Sequence, residues 1–187
     1  MAMFEDDEVV VWDTEFTSWP GCHENGWDKS EGEYKEIIQI GAVKIDTEDM
    51  EIVDSFNRFV KPQINSELSE YIKNLTGITQ KQVNEANRLE VVLNNFINWF
   101  DDCKLYSVGN DWNVVEKNLD LYEKNFEVSE RVFKDIRPIF KQRGVPIDDW
   151  ASGSVANYLE PELELLPQHN ALNDSKNMAK ALKILNH

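Results

Sequence analysis

Residues 9–15 read Val9-Val10-Val11-Trp12-Asp13-Thr14-Glu15, an apolar and largely β-branched run that closes on two acids spaced by one residue. A short run of this kind suits a strand buried on both faces. Side chains alternate along an extended backbone, so Asp13 and Glu15 are directed to the same side of that strand. Two carboxylates held together at a partly buried strand end repel one another unless a cation lies between them. The pair alone fits a second reading equally well: a strand that simply runs out into an acidic surface loop.

Working outward, residues 18–33 are rich in Gly, Asn, Asp, Glu and Ser and read as a long loop. Ile37–Ile45 and Ile52–Val60 suit strands joined by the polar turn 46–51, a hairpin that extends the sheet begun by the first strand. Pro62 stops the second of these. Helical patterns follow over Ser66–Leu75, Thr79–Ala86 and Leu89–Phe100, and Leu105–Val108 reads as a further short strand. After Gly109 the spacing of Asp111, Val115 and Leu119 predicts a helix. Another is expected from Asp135, with Asp135 as its cap, to an end near Gly144, and a last one lies within His169–Leu185. Strands followed by helices interleaved with strands predict an α/β domain on a mixed sheet. With 187 residues and no internal repeat, the chain reads as one domain over 1–187 with its core at about 8–185.

The charge balance narrows the function. Thirty-five acids against nineteen bases give a formal charge of −16, so the overall field repels a polyanion and a role in coating DNA is disfavoured. An enzyme that holds divalent cations tolerates that balance, with a local basic groove or a partner supplying affinity for nucleic acid. The two cysteines, Cys22 and Cys103, lie far apart and outside any zinc-like spacing, which predicts a reducing, cytoplasmic setting. No apolar run approaches the roughly 18 residues of a membrane span, and the acidic stretch Phe4–Glu8 does not read as a signal peptide.

A second constellation lies near the other end, at His169-Asn170-Ala171-Leu172-Asn173-Asp174. Five residues is about 1.4 helical turns, so two helical side chains at that spacing diverge by roughly 140°. His169 is therefore expected in the loop before the last helix, with Asp174 on the helix's first or second turn. A histidine ahead of a helix is commonly no more than a solvated or capping residue. Its pairing with the strand-end acids is what gives it weight.

Taken in order, Asp13-Thr14-Glu15-Phe16-Thr17, a mid-chain aspartate, and His169 with Asp174 resemble the DEDDh exonucleases, the DnaQ-like branch of the RNase T superfamily. Glu36-Ile37-Ile38-Gln39-Ile40-Gly41-Ala42, Phe59-Val60-Lys61-Pro62, Leu68-Ser69 and Leu75-Thr76-Gly77-Ile78-Thr79 narrow the resemblance to the Eri-type 3′ exonucleases. It covers about Val9 to Leu185. The resemblance implies a ribonuclease H-like fold, with a central mixed five-stranded sheet flanked by helices. It further implies that Asp13, Glu15, Asp111 and Asp174 hold two Mg²⁺ or Mn²⁺ ions, and that His169 deprotonates the attacking water. Phe16, Thr17, Leu75 and Thr76 correspond to positions beside the terminal bases. The implied activity is 3′→5′ trimming of single-stranded nucleic acid, RNA before DNA, to nucleoside 5′-monophosphates. The partner is a nucleic-acid 3′ end and not a membrane, with a protein partner or self-association left open. The alternatives are a DNA exonuclease of the proofreading or repair type, or an inactive member that binds nucleic acid or protein.

One position departs from that pattern. Eri-type relatives carry an aromatic residue just before the middle aspartate, whereas this chain reads Gly109-Asn110-Asp111-Trp112-Asn113. Matching the tryptophan puts Asn113 in the acidic position; matching the inward helix face of Val115 and Leu119 puts Asp111 there. The helix pattern favours Asp111.

Overall fold

A computed structural model describes residues 3–22, 32–126 and 132–186. His23 and Trp27, in the loop expected over 18–33, lie outside the described residues. Among the described residues the sheet has five strands: β1 (Glu8–Phe16), β2 (Ile37–Asp46), β3 (Ile52–Phe59), β4 (Lys104–Ser107) and β5 (Phe133–Asp135). Their order is β3-β2-β1-β4-β5, with β1 antiparallel to β2, β2 antiparallel to β3, and β1, β4 and β5 mutually parallel. The helices are α1 (Glu70–Thr76), α2 (Gln80–Glu85), α3 (Leu89–Phe100), α4 (Asp111–Leu121), α5 (Arg137–Lys141), α6 (Val155–Leu159) and α7 (Ala171–Leu185).

The alternation within β1 assigns the two faces of the sheet. Val9 and Val11 pack with Met178, Ala181 and Leu182 of α7, while Val10 and Trp12 pack with Phe96 of α3 and Val115 of α4. Both faces are apolar, which is why β1 reads as a continuous hydrophobic run. The acids lie at the end of the strand, as the sequence suggests, within its paired part: pairing runs through Asp13↔Gly41 and Glu15↔Gln39 before a register shift at Phe16, because β2 supplies a full-length antiparallel partner. Asp13 and Glu15 thus share the parity of Val9 and Val11, and so the α7 face.

Two boundaries and one helix differ from expectation. The first helix begins only after Ser69, whose hydroxyl accepts the Ile72 N–H as an N-cap, so Ser66–Leu68 stays non-helical. The expected helix start at Asp135 is instead the end of β5, the strand that the sequence did not place. The Asp135 carboxylate accepts the N–H groups of both Gly109 and Arg137, tying the strand ends together before a shortened α5. The short helix α6 was also not foreseen. No helix among the described residues is long and apolar enough to cross a membrane.

Candidate metal centre

Asp13 and Glu15 leave β1 on the face covered by α7, and Asp174 projects from the first turn of α7 toward them. One carboxylate oxygen from each of the three falls within 4.8 Å of the others. Asp111 arrives from the opposite face, on the first turn of α4. Thr14, which alternates with the two acids, donates its hydroxyl to Asp111 Oδ1 at 3.2 Å. A cavity of about 350 Å³ is lined by all four acids together with Phe16, Lys35 and His169. It lies at the C-terminal end of β1, where α/β sheets commonly hold ligands.

The placement of α7 depends on contacts that give no signal in the residues alone. Gln39 Oε1 accepts the Ala171 N–H at 3.1 Å, and Ser175 Oγ donates to the Gly41 carbonyl at 3.0 Å. A Cβ on Gly41 would fall 2.1 Å from the Leu172 nitrogen, so the helix start rests directly on β2. Gly153 plays the same part for the carboxylate, because a Cβ there would fall 2.1 Å from Asp174 Oδ1. Asn177, fully buried one turn beyond Asp174, donates to the carbonyls of Gly153 and Leu166 and accepts the Leu166 N–H. That side chain fastens the 153–166 segment against α7. Ser152 Oγ lies 3.5 Å from Asp13 Oδ1.

The electrostatics are those of like charges crowded in a dry place. Burial, then the charges of Asp111, Glu15 and Asp174, drive the Asp13 carboxyl well above its ordinary value. Glu15 is pushed up to about 8 by burial and then by Asp174 and Asp111. Burial raises Asp111 to about 6, against the pull of hydrogen bonds from Ser107 and Thr14 and of the Lys35 charge. Burial also raises Asp174 to about 6, moderated by the His169 backbone N–H. Asp111 Oδ2 and Asp174 Oδ1 are buried without a hydrogen-bond partner. Unsatisfied carboxylate oxygens are costly. The hard oxygen donors of Asp13, Glu15 and Asp174, with Asp111 on the same cavity, fit a metal site.

The remaining expected site residues are distributed unevenly. His169 sits in the loop before α7, exposed, and lines the cavity. Asn113 is exposed, with its N–H taken up by the Asn110 cap, and the cavity is lined by Asp111 and not by Asn113. Phe16 lines the cavity, but Thr17, Leu75 and Thr76 do not. Thr17 is buried with its hydroxyl between the Tyr34 carbonyl and the Glu36 N–H. The Thr76 hydroxyl is likewise engaged by the Ile72 carbonyl and the Ile78 N–H, and Leu75 packs with Ile72 and Ile78. Sequence reasoning missed Lys35 and Ser152 as cavity residues and Gly153 as the support of Asp174, since each reads locally as loop.

Comparison with known proteins gives a consistent picture. A family model described as Exonuclease, RNase_T, matches residues 10–182. The 3′-5′ exoribonuclease 1 of Rattus norvegicus is 43% identical over 70 residues, covering 37% of this chain and 20% of that protein. The DNA polymerase III PolC-type of Clostridium perfringens is 32% identical over 180 residues, which is 95% of this chain and 11% of the polymerase. The matched stretches thus span about a fifth or less of these relatives. Among solved structures, the nuclease domain of 3′hExo, a DEDDh family member bound to rAMP, superposes with a TM-score of 0.80 at 26% identity, covering 96% of this chain and 91% of that one. A 3′-exonuclease recognising the 3′ end of histone mRNA stem-loop gives 0.79 at 25% identity, over 97% of this chain and 64% of that one.

Proposed function

We propose, from the premise that this chain belongs to the RNase T family of exonucleases, that it is a metal-dependent 3′→5′ exonuclease releasing nucleoside 5′-monophosphates from single-stranded RNA. The observation that carries this reading is the convergence of four carboxylates on one cavity, two with an unpartnered buried oxygen. Asp13, Glu15 and Asp174 would hold two Mg²⁺ or Mn²⁺ ions from the α7 face and Asp111 from the α4 face. The chemistry supplied by such ions when bound is neutralisation of the acids and stabilisation of charge on the attacking and leaving oxygens of a phosphodiester. Thr14 orients Asp111 through its hydroxyl, and the His169 N–H orients Asp174. The imidazole of His169, an exposed residue lining the cavity, takes a proton from the attacking water at a ring nitrogen. Phe16 at the cavity wall offers an apolar ring on which a terminal base can stack, a mode indifferent to sequence.

RNA is favoured because the 3′-exonuclease recognising histone mRNA stem-loop and the nuclease domain bound to rAMP superpose over nearly the whole chain. A DNA substrate is the second reading, since the polymerase relative aligns over 95% of the chain. Matched single-stranded RNA and DNA oligonucleotides digested side by side in magnesium separate the two. The RNA reading expects faster shortening of RNA; preference for DNA reverses it.

A further inference from the structure

A cavity walled by Asp13, Glu15, Asp111 and Asp174 in a chain of net charge −16 is a poor place to seat a polyanion. Two divalent ions offset four carboxylates, leaving nothing over for the phosphates of the strand beyond the reacting one. Among the described residues that line the cavity, Lys35 is the one lysine or arginine. Its backbone is fixed from two sides. Asn118 of α4 donates to the Lys35 carbonyl at 2.8 Å and accepts the Ile37 N–H at 2.8 Å. The next residue, Glu36, is fully buried and accepts the N–H groups of Gln63 and Ile64 and the Tyr122 hydroxyl.

From that anchored backbone the Lys35 ammonium reaches the cavity wall, where it lies 3.6 Å from the centroid of the Phe16 ring. A phosphate oxygen, with its full charge and hydrogen bond, holds an ammonium more strongly than an aromatic face does. Lys117 extends the same feature outward. It lies one turn beyond Val114, which lines the cavity, so it shares that face of α4 and is exposed. It is also close enough to Lys35 to act on it electrostatically.

We propose that Lys35 and Lys117 form a short cationic track that receives the backbone phosphates of the substrate strand on their way into the metal site, with Lys35 leaving the Phe16 ring as the strand enters. The inference rests on the exonuclease reading above for the identity of the strand, but its test reads binding alone. The ammonium groups contact phosphate whatever the base sequence, so their contribution is electrostatic and salt-dependent.

The experiment measures fluorescence anisotropy of a short 5′-fluorescein single-stranded RNA across a salt series, with calcium in place of magnesium. Lys35→Ala and Lys117→Ala should each make the slope of log affinity against log salt shallower by about 0.7, the value of one phosphate contact on a single strand. Lys35→Ala should also weaken binding by roughly tenfold at low salt. Lys35→Arg should restore the slope, and Lys81→Ala, exposed on α2 beside Glu85, should match the wild type. A slope and affinity for Lys35→Ala equal to wild type would overturn the track. Lysine-dependent binding by a wild-type protein that leaves the strand intact in magnesium would instead support the track and overturn the exonuclease reading.

Discussion

The backbone N–H of His169 donates to Oδ2 of Asp174 at 3.1 Å, and His169 adopts a left-handed φ of 61° in doing so. A non-glycine residue in that region carries strain of about 1–3 kcal/mol, which the surrounding contacts hold in place. The imidazole and the carboxylate are therefore set in fixed relation by a main-chain bond that survives loss of the side chain. His169→Ala should lower turnover by roughly 10²–10⁴ with manganese affinity kept. His169→Gly should be equally slow yet as stable as wild type or more so, since glycine adopts φ above zero without penalty. Turnover and calorimetric metal titration on both variants check this; an active His169→Ala removes the base from the account.

Asp111 and Asn113 give opposite expectations. With Asp111 at the cavity and Asn113 exposed, Asp111→Asn should cut activity by more than about 10²-fold and weaken metal binding. Asn113→Ala should stay within a few-fold of wild type on both readouts, as its helix keeps the Asn110 cap. Steady-state hydrolysis of a labelled strand by each variant decides it, and the reverse ranking would make Asn113 the functional position.

Gly153 tests the fit of the carboxylate itself. An added methyl would fall 2.1 Å from Asp174 Oδ1, so Gly153→Ala must move either the 153–166 segment or the acid. Manganese affinity should drop by about 10–100-fold, the scale of disturbing a ligand's support. Isothermal titration of the folded variant reads this, and unchanged affinity would show that the segment yields instead of Asp174.

How far the sequence carried these conclusions varies by element. The strand carrying Asp13 and Glu15 was legible because its apolar run is unbroken, and helix 89–100 because Val92, Phe96, Trp99 and Phe100 fall near one face. Strand β5 was not, since a three-residue strand carries too little periodicity to compete with the helix-starting pattern of Asp135 and Pro138. The four acids could be named from the resemblance. Their support by Gly41, Gly153, Gln39 and Asn177 could not, because it depends on where α7 crosses β2. Thr17 and Thr76 stood beside the right elements, but their hydroxyls are engaged within the fold.

Raised carboxyl pKa values link the site to stability. Glu15 at about 8 and Asp111 and Asp174 at about 6, all displaced upward by burial first, bind more protons folded than unfolded between about pH 4 and pH 8. Their contribution is therefore full below the unfolded values and is lost as pH rises through the folded ones. Without metal, Tm should fall from pH 5.5 to pH 8, Glu15→Gln should flatten that fall, and manganese should restore the loss at pH 8. A metal-free Tm that climbs over this range, in scans with chelator, contradicts the site's electrostatics.

The central claim is tested most directly by following a 5′-labelled single-stranded RNA on a sequencing gel in magnesium, with the released products identified by mass. Stepwise shortening from the 3′ end, nucleoside 5′-monophosphates as product, and arrest by chelation with recovery on added manganese are the expected result. Internal cuts, degradation from the 5′ end, or hydrolysis that continues undiminished in chelator would contradict it.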